Sequence, residues 1–273
     1  MSKAKTSESN GRIIYEGASL LDGAPIVVIA IGFDSGSSNR KTGDMIQTYI
    51  IRQDMAPITA AQTGKDFSIC GDCIHRGSVA INSDGEPKNV GRTCYVNLGQ
   101  GPTSVYSTYL RNGYPVWDDN AEPDLTKNRI VRLGTYGDPA AVPVEVWRSL
   151  LRGSSGHTGY THQWRDPRVA RLREFCMASA DTVEESLAAQ AKGWRTFRVG
   201  LPSHPFKQDN EALCPASAEA GRKLTCAQCR ACDGTASSRR GSIYIPAHGG
   251  FAVMANIKKR DDLQVCKAEE EVR

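Results

Sequence analysis

From Arg129 onward the chain alternates short apolar runs with amphipathic ones, and this rhythm constrains its fold more than any other feature. The run RIVRLGT predicts a strand ending at Thr135, followed by a loop through Gly137, Asp138 and Pro139. AAVPVEVWRSLLRG then predicts a helix with Val144, Trp147, Leu150 and Leu151 on one apolar face and Gly153 at its end. GHTGYTHQW predicts a second strand, and DPRVARLREF a short helix capped by Asp166 with Pro167 in its first turn. FCMASA is a third strand. DTVEESLAAQAKG is a helix in which Asp181 is the expected cap, Glu184 completes a capping box and Gly193 is the stop. WRTFRVG is the fourth strand. Strands and helices alternating at this spacing imply parallel strands joined by right-handed crossovers. No dinucleotide-binding fingerprint accompanies the turns. The expected fold class is therefore α/β, a complete or partial (β/α) TIM-like barrel. MIQTYIIR at 45–52 supplies an earlier strand and GSIYIPAHGG at 241–250 a late one.

Seven of the nine cysteines fall into two groups separated by about 120 residues. Cys70 and Cys73 share one tight turn, and Cys94 follows 21 residues later. Three thiolates form an incomplete tetrahedral set, which His75, a distant cysteine or an exchangeable small molecule could complete. Cys214, Cys226, Cys229 and Cys232 offer four ligands within 20 residues. Their C-x2-C-x2-C run matches the first three cysteines of cubane-binding segments, with a mononuclear zinc site as the alternative. The expected cofactor is a 4Fe-4S cluster. Spacing alone leaves open whether the groups form one site or two. Cys176 is expected to be a small buried hydrophobe, and Cys266 a spectator in a charged tail.

Composition fits a globular chain, with 40% hydrophobic and 23% charged residues. A net charge of +4 neither requires nucleic acid nor excludes it, so nucleic acid is a weakly supported partner. No apolar run is long enough to span a bilayer, and the polar start MSKAKTSESNG has no apolar segment behind it. The expected location is the cytoplasm, where paired Cys-x2-Cys spacings point to metal rather than disulfides. The expected organisation is a flexible leader over 1–11 and a single barrel-like domain over 12–250. That domain carries a metal loop at 68–99 and a cysteine-rich segment at 210–235. A C-terminal strand and charged tail are expected over 251–273. The loop FDSGSSNRKTGD is expected to be surface, although Ser35, Gly36, Ser37 and Ser38 could form an anion nest. TSVYSTYLRNG predicts a helix capped by Thr103 or Ser104. Tyr106, Tyr109 and Tyr114 beside Arg111 fit core packing better than base stacking.

In a barrel, functional residues gather at the C-terminal ends of strands. Those positions hold Tyr136 and Asp138, then His162, Gln163 and Trp164, then Ser179 and Asp181, then Arg198, and finally His248. The expected catalytic residues are His162, Arg198, His248 and Asp138. Tyr136 and Arg198 are expected to join Cys70, Cys73 and Cys94 in binding a cofactor. A cap role for Asp181 and a turn-shaping role for Asp138 are the plainer alternatives.

RLGTYGDPAAVP, TGYTHQWR, CMASAD with GWRTFRV, CPAS with its downstream C-x2-C-x2-C, SICGDCIHR and CYVNLGQGP together resemble a cysteine-rich family of bacteriophage and prophage proteins. The resemblance covers about residues 40–250. More remotely, the order of cysteines and barrel is similar to phage proteins placed near the radical S-adenosylmethionine enzymes. That resemblance implies an active cubane on Cys70, Cys73 and Cys94, with S-adenosylmethionine on its open iron. It also implies an auxiliary cluster on Cys214, Cys226, Cys229 and Cys232, and an unknown substrate met by Arg198 or His162. The usual C-x3-C-x2-C loop of those enzymes is absent here. A non-catalytic zinc protein binding nucleic acid or a host or phage factor is the competing expectation, and cluster-based electron transfer the third.

Overall fold

β-Branched residues are densest in two early runs, and these become the buried centre of the first sheet. The computed structural model describes residues 9–34, 41–118, 123–200, 210–235, 241–248 and 253–259. It opens with β1 (Gly11–Ala18), β2 (Pro25–Ile31) and β3 (Met45–Arg52), followed by helices α1 (Pro57–Gln62) and α2 (Phe67–Cys70). A hairpin of β4 (Ser78–Ile81) and β5 (Pro87–Val90) precedes α3 (Gly101–Leu110). Next come β6 (Ile130–Tyr136), α4 (Val144–Leu151), β7 (Gly156–Thr158) and β8 (Tyr160–Thr161). The chain continues through β9 (Met177–Ala180), α5 (Val183–Ala191), β10 (Thr196–Gly200), β11 (Glu211–Leu213), α6 (Cys226–Cys229) and β12 (Ser242–Pro246).

The first sheet has the order β1-β2-β3-β6-β7, antiparallel up to β3 and parallel from β3 onward. The second, β11-β12-β10-β9-β8, is parallel throughout. One residue joins them. Gly159, between β7 and β8, donates its amide to the Cys232 carbonyl and accepts from the Met177 amide. A Cβ there would lie 2.7 Å from the Cys176 sulfur, so only glycine lets the strand pass so close. The molecule is thus a mixed α/β structure with parallel sheet segments.

The main core runs from Ile26, Val28 and Ile50 through Leu133 to Trp147 and Leu150 of α4. Trp147 also donates its indole N–H to the Pro139 carbonyl at 3.0 Å. Burying each such side chain contributes about 1.5–3 kcal/mol. Cys176 lies in this core, as a small buried hydrophobe should, and Tyr106, Tyr109 and Tyr114 pack against its edge.

Several local expectations are corrected. The segment after Asp166 is a 3-10 helix, Pro167–Glu174, although Asp166 does cap it. Helix α3 begins after Gln100, with no side-chain cap from Thr103 or Ser104. Within the expected metal loop, residues 78–90 form the β4–β5 hairpin. Residues 253–259 are helical rather than a strand. The cap of α5 is Thr182, whose side chain accepts from the Glu185 amide, and not Asp181. No described helix is long and apolar enough to cross a membrane. Ser35, Gly36, Ser37, Ser38 and Cys266 lie outside the described residues.

Candidate metal and substrate site

Parallel strands point their C-terminal ends in one direction, and here those ends open on one cavity of about 390 Å³. Tyr136 and Asp138 reach it from the end of β6, His162 from beyond β8 and Asp181 from beyond β9. His248 follows β12. Both cysteine groups line the same cavity, Cys70, Cys73 and Cys94 together with Cys214, Cys226, Cys229 and Cys232.

The first group is set by a turn that a side chain would block. Gly71, at φ 55°, follows Cys70 so closely against Gln163 that a Cβ would sit 2.5 Å from its amide. Arg76 then ties the loop down. It donates to Asp66 at 2.7 and 3.0 Å and to the carbonyls of Gly71 and Gly64. The His75 carbonyl accepts from the amides of Thr93 and Cys94, which brings the remote third cysteine beside the other two. Burial pushes the Cys70 thiol well up, Cys73 up to about 12 and Cys94 upward. The backbone at His75 works against that shift for Cys73, and the Arg92 guanidinium and the backbone at Val96 for Cys94, so these groups favour the thiolate. Tyr136 is buried beside this group, its hydroxyl without a hydrogen-bond partner among the described residues.

The second group is woven into the backbone. Thr225 and Gln228 form a reciprocal capping box on α6. The amides of Cys226 and Ala227 donate to the carbonyls of Lys41 and Thr42 just before β3. The Cys214 amide donates to Tyr244 of β12, and the Cys232 carbonyl holds Gly159 at the sheet junction. Cys214 and Cys232 pack with Met177, Ile243 and Ile245 in a second apolar cluster. Burial pushes Cys232 up to about 12 and raises Cys214 and Cys226. The backbone at Ala216 works against that shift for Cys214, and the Tyr160 hydroxyl for Cys232.

A mononuclear zinc with Zn–S of about 2.3 Å draws its sulfurs to roughly 3.8 Å of one another. Among the described residues, the three-ligand group whose donor atoms all lie within 4.8 Å is His75, His162 and Asp181, and neither cysteine group is that tight. A cluster, whose thiolates bind separate irons, accommodates wider spacing.

The other sequence-predicted residues divide clearly. His162 lies at the cavity, its amide donating to Asp138 at 2.8 Å. Asp138 is buried, caps the turn at Ala140 as well, and has its carboxyl pushed upward by burial. It positions His162. His248 faces Lys41 at 2.6 Å on the cavity wall. Arg198 is not in the site. Strand side chains alternate, and on β10 Phe197 and Val199 line the cavity while Arg198 points the other way. There it is fully buried, paired with Glu211 at 2.7 and 2.8 Å and stacked 4.6 Å over Tyr244.

Two residues gain importance. Asp181 puts its carboxylate 2.9 Å from His75 Nε2, and His75 Nδ1 is held by Thr93 at 2.7 Å. His75 Nε2 is thereby turned to Asp181 rather than to the neighbouring cysteines. The sequence did carry a signal for Asp181, since Thr182 with Glu185 makes as good a helix start as Asp181 with Glu184. Comparison with family models, curated proteins and solved structures gives no match.

Proposed function

We propose that this protein is an iron–sulfur enzyme that acts on a small substrate in the shared cavity. The carrying observation is that an incomplete and a complete cysteine group line one cavity at the C-terminal ends of parallel strands. Cys70, Cys73 and Cys94 would hold a 4Fe-4S cluster with one iron lacking a protein ligand. Such an iron supplies S-adenosylmethionine binding and reductive cleavage, in keeping with the resemblance to radical S-adenosylmethionine-like phage proteins. Cys214, Cys226, Cys229 and Cys232 would hold an auxiliary cluster. Tyr136, with its unpartnered hydroxyl, and Arg132, which donates to Tyr95 at 2.8 Å beside the second group, supply polar contacts for the bound molecule. In this reading the two sheets, continuous through Gly159, curve as a partial (β/α) barrel around that molecule. The protein acts in the cytoplasm of an infected host.

Anaerobic reconstitution with iron and sulfide tests the reading. It predicts cubane absorption and formation of deoxyadenosine from S-adenosylmethionine and a reductant. A second reading, a structural zinc protein, is favoured by the backbone anchoring of the C-terminal group. It predicts a colourless protein with tightly held zinc and no sulfide. Cubane without deoxyadenosine would instead identify an electron carrier.

A further inference from the structure

We infer that His75, His162 and Asp181 form a divalent-metal site at the cavity wall, separate from both cysteine groups. The inference does not depend on the iron–sulfur reading, because none of its ligands is a thiol. The three side chains come from three distant segments: the turn after Cys73, the loop after β8 and the end of β9. Their donor atoms all lie within 4.8 Å of one another. His75 Nε2 is 2.9 Å from Asp181 Oδ1, and His162 Nε2 is 3.8 Å from Asp181 Oδ2. The two imidazoles meet edge to face, with centroids 5.4 Å apart.

The surroundings treat these groups as metal ligands are treated. Thr93 holds His75 by Nδ1, fixing the ring so that Nε2 faces the other two donors. The Asp138 carboxylate holds the His162 backbone. Thr182 takes over the cap of α5, and Glu185 accepts the Asp181 amide, so the Asp181 side chain is turned to the imidazoles instead of to its helix. Asp181 is 6% exposed, and a carboxylate at that depth requires compensating positive charge. All three residues line the cavity. Two imidazoles and one carboxylate on one face of an ion leave positions open on the other. This ligand set suits Fe(II), Zn(II) or Co(II) and leaves room for an oxygen-donor ligand such as a carboxylate or hydroxyl of the cavity's occupant.

The test uses full-length protein, reconstituted anaerobically and held with its clusters oxidised, to which Co2+ is added as the probe. Metal analysis after desalting should find one equivalent of cobalt, and pulsed EPR should find couplings from two imidazole nitrogens. Asp181→Asn and His162→Gln should each weaken cobalt binding by at least ~10-fold, and Thr93→Val by about 10-fold through loss of ring orientation. Iron and sulfide, measured on the same samples, report the cysteine groups separately and should be unchanged in Thr93→Val. An imidazole–carboxylate hydrogen-bond relay binds no cobalt. That result, cobalt coupled to no imidazole nitrogen, or wild-type affinity in all three variants would overturn the inference.

Discussion

The two cysteine groups share a cavity but are built in opposite ways. The C-terminal group has four thiols, and its backbone ties the approach to β3, the β7–β8 junction and β12 together. The N-terminal group has three thiols on a loop held by the side chain of Arg76 and by local backbone bonds at His75, and its neighbours are Tyr136, His75 and the cavity. In the proposed reading, coordination that is complete and cross-linked to the frame would serve the fold, and coordination that is incomplete and faces open space would serve chemistry. The contrast is the main functional lesson of the molecule, and it can be broken experimentally.

The largest effect is expected at the framework group. Cys232→Ser should cost about 5 kcal/mol, lowering Tm by roughly 10–20 °C, because in the proposed reading metal binding there is also folding energy. Arg198→Ala, in the same half of the molecule, should cost about 3–5 kcal/mol by leaving Glu211 buried without its partner. Replacing both members with Arg198→Met and Glu211→Leu should restore most of that loss in thermal denaturation. Ligand affinity in the double variant should match wild type, since neither side chain lines the cavity.

A smaller, pH-dependent effect follows from the buried thiols. Folded Cys73 and Cys232 keep their protons up to about 12, whereas unfolded thiols release them near the ordinary value of 9.0. The metal-free folded state therefore binds more protons than the unfolded one above 9.0. Its stability should be fully present below that pH and fall as pH rises toward about 12. Denaturant titrations of chelated protein should show this slope, and loaded protein, already thiolate, should not. The smallest effect on stability is expected at the chemical group. Cys73→Ser should shift Tm by less than about 4 °C while abolishing product formation.

Much of the frame was legible because its elements obey local rules. β3 occupies Met45–Arg52 as its β-branched content predicts, and the alternation from Arg129 yields β6, α4, β9, α5 and β10 in order. The turn signals at Asp166-Pro167 and Gly193 were equally plain, although the helix after Asp166 is 3-10. What local rules left undecided was direction and choice. Arg198 lies in the middle of its strand rather than at the end, and the two-residue period of β10 turns it away from the cavity. At α5 two overlapping capping boxes were available, and the choice of Thr182 over Asp181 depends on His75, more than 100 residues earlier in the chain. Convergence of the two cysteine groups is likewise a long-range fact, set by where Gly159 lets one sheet continue into the other.

The central claim is that the two groups hold unequal clusters, one chemical and one structural. Iron and sulfide counting on anaerobically reconstituted wild type and Cys73→Ser, followed by EPR of the reduced proteins with and without S-adenosylmethionine, tests it most directly. The account predicts about eight irons and eight sulfides in the wild type and about four of each in the variant. It also predicts a spectrum that S-adenosylmethionine alters only in the wild type. Zinc without sulfide, or a Cys73→Ser spectrum that still responds to S-adenosylmethionine, would contradict it.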